Sequence, residues 1–156
     1  MDGERRCVVV APGEGRVVDL GDFEIRVKAD AGSTDGIVSV LEASEPPGFG
    51  PPIHLHDDAA EAFYVLDGEY LMNLDGEEHR CPAGSFIFIP AGVPHGFRVG
   101  DVPSRKLNFY FPAAMIGYFD DLALALSRSD VTEGDLAEIA QAHHMHIVGP
   151  PAARYV

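Results

Sequence analysis

The stretch Gly48-Phe49-Gly50-Pro51-Pro52-Ile53-His54-Leu55-His56-Asp57-Asp58-Ala59-Ala60-Glu61 decides how this chain is read. Successive side chains of a strand point to opposite faces, so His54 and His56 point the same way. Asp57–Ala60 reads as a polar turn, which lets Glu61 open the next strand and face the same interior. His95 arrives later, just past Pro90-Ala91-Gly92-Val93-Pro94. Three imidazoles and one carboxylate converging on one point would bind a first-row transition metal and leave coordination positions open.

Outward from that stretch, the first two-thirds of the chain reads as β structure. Short apolar or alternating runs are cut at close intervals by Gly, Pro, Asp and Asn, the pattern of a sandwich or barrel. Strands are expected over 8–10, 16–19, 23–29, 36–44, 51–56, 61–66, 69–74, 77–81, 85–89, 94–99 and 105–111. Asp67-Gly68, Asp75-Gly76 and Pro82-Ala83-Gly84 read as turns that fold 61–89 into an antiparallel meander. After Pro112 the period changes. Met115, Ile116, Phe119, Leu122 and Leu126 mark one buried stripe of a helix over 113–126. A second helix is expected over 132–142, with Thr132 as N-cap and Asp135 at the capping-box position. Such helices pack outside a barrel, close one mouth or meet a partner subunit. Gly149-Pro150-Pro151 ends the ordered pattern, and 149–156 is expected to be a tail.

With 156 residues, 46% apolar and 23% charged, the chain is expected to be one soluble domain spanning 1–156. The formal net charge of −14 argues against nucleic acid and anionic membranes as partners. No apolar run approaches the roughly 20 residues of a membrane-spanning helix. Cys7-Val8-Val9-Val10-Ala11 is too short for a signal peptide, so a cytoplasmic location is expected. Cys7 and Cys81 are then read as buried thiols and not as a disulfide. His143-His144-x-His146 falls near a helix end, where histidines meet the last carbonyls or solvent, and is not read as a second metal site.

The spacing of residues 48–99 resembles the two motifs of the cupin superfamily. Gly48, five residues, His54-Leu55-His56, four residues, Glu61, six residues and Gly68 match every fixed position of the first. Gly84, five residues, Pro90-Ala91-Gly92, two residues and His95 match the second, with Val99 where the family has Asn. That position is not a metal ligand in the family. The resemblance implies an all-β fold: a double-stranded β-helix, or jelly-roll, barrel over about 16–112, followed by two short C-terminal helices over about 113–143. It implies His54, His56, Glu61 and His95 as ligands of one divalent transition metal ion. Iron(II) is the first expectation; Mn, Ni, Co, Zn and Cu also suit nitrogen and carboxylate donors.

Alternation also outlines a pocket. If Glu61 faces inward, so do Phe63 and Val65; if His95 does, so do Phe97 and Val99. Met72, Phe86 and Phe88 are further wall candidates. Strand 105–111 offers either Leu107, Phe109 and Phe111, or Asn108 and Tyr110, and its register stays open; Phe109 is taken with the wall candidates. A wall this rich in phenyl rings suits an aromatic or apolar organic ligand.

Small cupins with the complete motif resemble quercetin dioxygenase-like enzymes. The implied activity is a metal-dependent oxygenase acting on a small aromatic or enolisable substrate with dioxygen: a flavonol, diketone or polyketide. Glu61 would serve as ligand or general base. Two alternatives stand beside it. One is a non-redox, metal-dependent isomerase or cyclase; the other is a non-catalytic barrel that binds a metal or small ligand. The resemblance also implies a homodimer, with Val8–Val10 as a strand added to the partner's sheet.

Overall fold

A computed structural model of the chain describes residues 5–151. Eleven strands and two helices follow in order: β1 Arg16–Asp19, β2 Glu24–Ala29, β3 Ser39–Glu45, β4 Pro52–His56, β5 Ala60–Asp67, β6 Glu69–Leu74, β7 Glu77–Pro82, β8 Phe86–Ile89, β9 His95–Val99, β10 Ser104–Phe111, α1 Ile116–Leu126, α2 Glu133–Ala142 and β11 Met145–Pro151. The strands form two antiparallel sheets, ordered β1-β2-β3-β10-β5-β8 and β11-β4-β9-β6-β7. This is the jelly-roll architecture.

The predicted meander is corrected by the pairing. β5 pairs with β10 and β8, whereas β6 pairs with β7 and β9. Asp67-Gly68 is therefore a corner that carries the chain from one sheet to the other, not a hairpin. Gly68 is required there: its φ is 75°, and an added Cβ would lie 2.1 Å from Ser104 Oγ. Pro82-Ala83-Gly84 makes the return crossing between β7 and β8. Of the three turns, Asp75-Gly76 alone closes a true hairpin; both residues have positive φ, 51° and 87°, as a type I′ turn demands.

Two expectations at the termini are also corrected. Residues 8–10 form no strand, and Val8 and Val9 are exposed, as is Cys7. Residues 145–151, expected as loop and tail, are a strand that pairs with β4 beside the histidines. Gly and Pro suggested a terminator there, but an edge strand tolerates both. Residues 152–156 lie outside the described residues.

Helix α2 carries the expected capping box. Asp135 N donates to Thr132 Oγ1 at 3.1 Å, and Thr132 N donates to Asp135 Oδ2 at 3.0 Å. Each bond satisfies a donor that the first turn would otherwise leave open. Tyr118, Phe119, Leu122 and Leu126 of α1 and Leu136 of α2 line the cavity enclosed by the sheets. The helices thus cover one side of the barrel's interior.

Two apolar clusters hold the sheets together. Ile25, Leu41, Tyr110, Met115 and Met145 pack with the helices, and Phe63, Val65, Tyr70, Met72, Phe97 and Val99 fill the other end. Inside the second lies a buried polar group. Lys106 Nζ donates to Glu45 Oε1 at 2.9 Å, and Tyr70 Oη donates to the same oxygen at 2.8 Å. The ammonium also sits 4.3 Å from the centre of the Phe97 ring. A lone ammonium buried to this depth would be costly; the carboxylate and ring faces compensate for the lost water.

Candidate metal centre

His54, His56, Glu61 and His95 come together inside the barrel, all buried. One ligand atom from each lies within 4.8 Å of all the others. The elements explain the convergence. β4 places His54 and His56 on one inner face, and His95 on β9 is the direct cross-strand partner of His54. The imidazole centres are 4.5 to 5.4 Å apart. Glu61 enters from β5 in the opposite sheet.

The hydrogen bonds orient the rings. His54 Nδ1 donates to the Pro52 carbonyl at 2.8 Å, and His95 Nδ1 donates to the Val93 carbonyl at 2.8 Å. A carbonyl only accepts, so both Nδ1 atoms carry hydrogen and both Nε2 atoms offer lone pairs in the neutral ring. Outer partners of this kind fix tautomer and orientation in metal-binding histidines. The bend Pro90–Pro94 supplies one of these carbonyls, and its Gly92 N bonds the His56 carbonyl at 2.8 Å.

Glu61 Oε2 lies 2.8 Å from His95 Nε2 and 3.0 Å from His56 Nε2. His56, whose Nδ1 has no partner, donates to the carboxylate from Nε2 as a neutral ring. His95 Nε2 and the carboxylate oxygen are both acceptors and need a cation at their contact, either a proton or a metal. Burial alone would push the Glu61 carboxyl up, but His56 and His95 outweigh it and hold the group well below the usual carboxylate range. Burial pushes His95 down, yet its bond to Glu61 and the carboxylate charge carry it upward. His54 is lowered to about 4 by burial and by the neighbouring His95. Three nitrogen donors and one carboxylate, with their outer bonds in place, fit a divalent first-row metal.

Next to the cluster, Tyr110 is the cross-strand partner of Glu61. Burial, together with the Glu61 charge, keeps its phenol strongly protonated. Its ring meets His56 edge to face at 5.6 Å. This register settles β10: Lys106, Asn108 and Tyr110 face inward. Sequence reasoning missed Lys106 and Glu45, because charged side chains normally mark the outer face of a strand.

The cluster opens on a cavity of about 270 Å³. Phe63 and Phe97 line it, as alternation predicts. The other four wall candidates do not. Met72 is fully buried in the core behind. Phe86 and Phe88 are 65% and 56% exposed, because Ile87 and Ile89 take the inner phase of β8. Phe109 stacks on Phe111 on the outer face of β10. Phe23, Phe49, Met115, Tyr118 and Phe119 complete the apolar wall instead.

A family model for the Cupin domain matches residues 41–110. Quercetin 2,3-dioxygenase from Bacillus subtilis is 31% identical over 106 residues, covering 68% of this chain and 32% of that protein. The chain thus spans about a third of that relative's length. Polyketide synthase CurC from Streptomyces cyaneus is 31% identical over 127 residues, covering 72% of this chain and 81% of that one. Among solved structures, the polyketide cyclase RemF from Streptomyces resistomycificus superposes with a TM-score of 0.52 at 26% identity, covering 64% of this chain and 69% of that one.

Proposed function

Because this chain belongs to the cupin superfamily, we propose that it is a metal-dependent oxygenase of the dioxygenase type acting on a small aromatic or enolisable substrate. The observation that carries the reading is the set of three imidazoles and one carboxylate at the wall of a mostly apolar, phenyl-lined cavity. A relative whose name is quercetin 2,3-dioxygenase supports it.

His54, His56, His95 and Glu61 would hold one divalent ion, with iron(II) as first choice. When bound, that ion supplies Lewis acidity, open coordination positions and, where redox-active, one-electron chemistry toward dioxygen. The protein's own groups do the rest. Ionised Glu61 accepts the proton that an enol or phenol must lose, or shares in holding the ion. Tyr110, the cross-strand partner of Glu61, would keep its carboxylate aimed. Phe63, Phe97 and the α1 side chains keep water from the reacting carbon atoms.

A non-redox cyclase is the second reading, favoured by the two polyketide proteins among the relatives. The same Glu61 would then move a proton within an enolisable chain. Oxygen uptake during turnover of flavonols, diketones and catechols separates the two. Turnover that persists without oxygen in protein loaded with redox-inert zinc would falsify the oxygenase.

We further infer a homodimer, formed through the outer face of the six-stranded sheet. Phe86, Phe88, Tyr64 and Phe111 are exposed there, with Phe86 opposite Tyr64 across the ladder. Burying two phenylalanines from each copy gains roughly 6–12 kcal/mol, comparable with the cost of association.

A further inference from the structure

Two polar groups stand on the cavity wall, and one of them has an unpaired atom. Asn108 is 5% exposed and lines the cavity. Its Oδ1 is buried with no hydrogen bond. Tyr118 reaches the same cavity from α1. Burial alone raises its phenol to about 12, with no bonded group contributing. Asn108 stands two residues from Tyr110 on the inner face of β10, and Tyr110 is the cross-strand partner of Glu61. The Asn108 amide therefore lies toward the metal end of the cavity that Tyr118 also lines.

A stranded buried acceptor costs stability, so native interiors contain few. An apolar residue at 108 would line the wall without stranding an amide oxygen. Retaining the amide makes sense if a ligand supplies the missing donor. Of the other cavity polar groups, Lys106 and Glu45 satisfy each other, and the unpaired His56 Nδ1 belongs to a ring of the metal cluster itself.

We propose that Asn108 and Tyr118 are specificity-determining residues that read a hydroxyl group on the substrate, separate from the oxygen atoms directed at the metal cluster. Asn108 Oδ1 accepts from that hydroxyl, and Tyr118 Oη bonds its oxygen. The substrate class is thereby narrowed to polyoxygenated aromatics, such as hydroxylated flavonols or cyclised polyketides, over plain diketones. This rests on the reading of the cavity as the site of a metal-directed substrate.

The test is equilibrium binding to the full chain loaded with zinc, which prevents turnover. The probes are 3-hydroxyflavone, derivatives with one further ring hydroxyl, and the methyl ethers of those derivatives. At least one hydroxylated derivative is expected to bind about tenfold tighter than 3-hydroxyflavone, and its methyl ether to lose that gain. Asn108→Leu and the gentler Tyr118→Phe should each erase most of the preference while leaving 3-hydroxyflavone affinity within about twofold. If Asn108 merely supports Tyr110, Asn108→Leu weakens all probes alike, and the proposal fails. It also fails if the wild-type chain shows no preference or accepts the methyl ether equally. Failure of every probe to bind the zinc-loaded chain overturns the parent reading of the cavity as well, and so distinguishes the two.

Discussion

His95 Nε2 lies 2.8 Å from Glu61 Oε2 while His95 Nδ1 is committed to the Val93 carbonyl. One cation must sit at that contact, and the surrounding imidazoles are placed to share a metal. Purified protein reloaded with iron(II) or manganese(II) should hold about one ion per chain. His54→Ala and His95→Ala should each lower affinity by at least about 100-fold, beyond the usual effect of losing an outer partner. Elemental analysis after dialysis reads this directly; full occupancy in both variants would remove the site assignment.

Tyr110 is the cross-strand partner of Glu61 without being one of the four clustered ligands. Tyr110→Phe removes the phenolic donor and keeps the ring against His56. Metal affinity should fall about 10–100-fold, with the melting temperature little changed. Competition against a chelator of known affinity measures it, and an unaltered constant would assign Tyr110 to packing alone.

The metal-free protein should be most stable near neutral pH. His54 titrates at about 4 in the folded chain and near 6.5 when unfolded. Acidification from about pH 6.5 to 4 protonates the unfolded state first and removes on the order of 3 kcal/mol. His95 has the opposite sign. Its folded pKa is raised, so its contribution is complete below its unfolded value and disappears as pH rises through the folded one. Glu61, depressed in the fold, loses its contribution only below these windows. Denaturant titrations with chelator present should show the acid loss, and His54→Gln should flatten it between pH 4 and 6.5; a persistent slope would place the titration elsewhere.

The buried Lys106–Glu45 pair should be costly to break from one side. Lys106→Met leaves Glu45 without its cation and should cost about 3–5 kcal/mol. Adding Glu45→Gln should recover much of that loss, because the remaining amide can still accept from Tyr70. A double-mutant cycle by chemical denaturation gives the coupling; additive losses would mean that the two groups act independently.

The exposed aromatic face should control oligomeric state. Phe86→Asp together with Phe88→Asp is expected to turn a dimer into a monomer in light scattering, with the metal content intact. A wild-type chain that is already monomeric at micromolar concentration contradicts the assignment.

Much of this fold was legible locally. Strand boundaries from β1 to β10 follow the alternating runs to within a few residues, and Thr132 and Asp135 announce α2 through their reciprocal cap. The four clustered residues were legible for the same reason. His54 and His56 share a face by strand geometry, and the turn Asp57–Ala59 returns the chain for Glu61.

What stayed hidden depends on contacts between distant segments. Phe86 and Phe88 looked like wall residues, yet the inner phase of a short strand is set by the sheet it joins. Asp67-Gly68 has the chemistry of a hairpin, but β5 found β8 and β10 as partners and left β6 to the other sheet. Strand β11 gave no usable local signal because Gly149 and Pro150 obscure its period.

The sequence by itself determined a sandwich-or-barrel class, through alternation and closely spaced turns, and its resemblance to the cupin motifs implied the jelly roll and the four-residue cluster. Tertiary structure alone decided the phase of β10, and with it the inward placement of Lys106, Asn108 and Tyr110. That phase is not encoded in β10's own alternation, which offers an aromatic face and a polar face. Pairing with β3 and β5 turned the polar face inward, where Glu45 and Glu61 supply its partners.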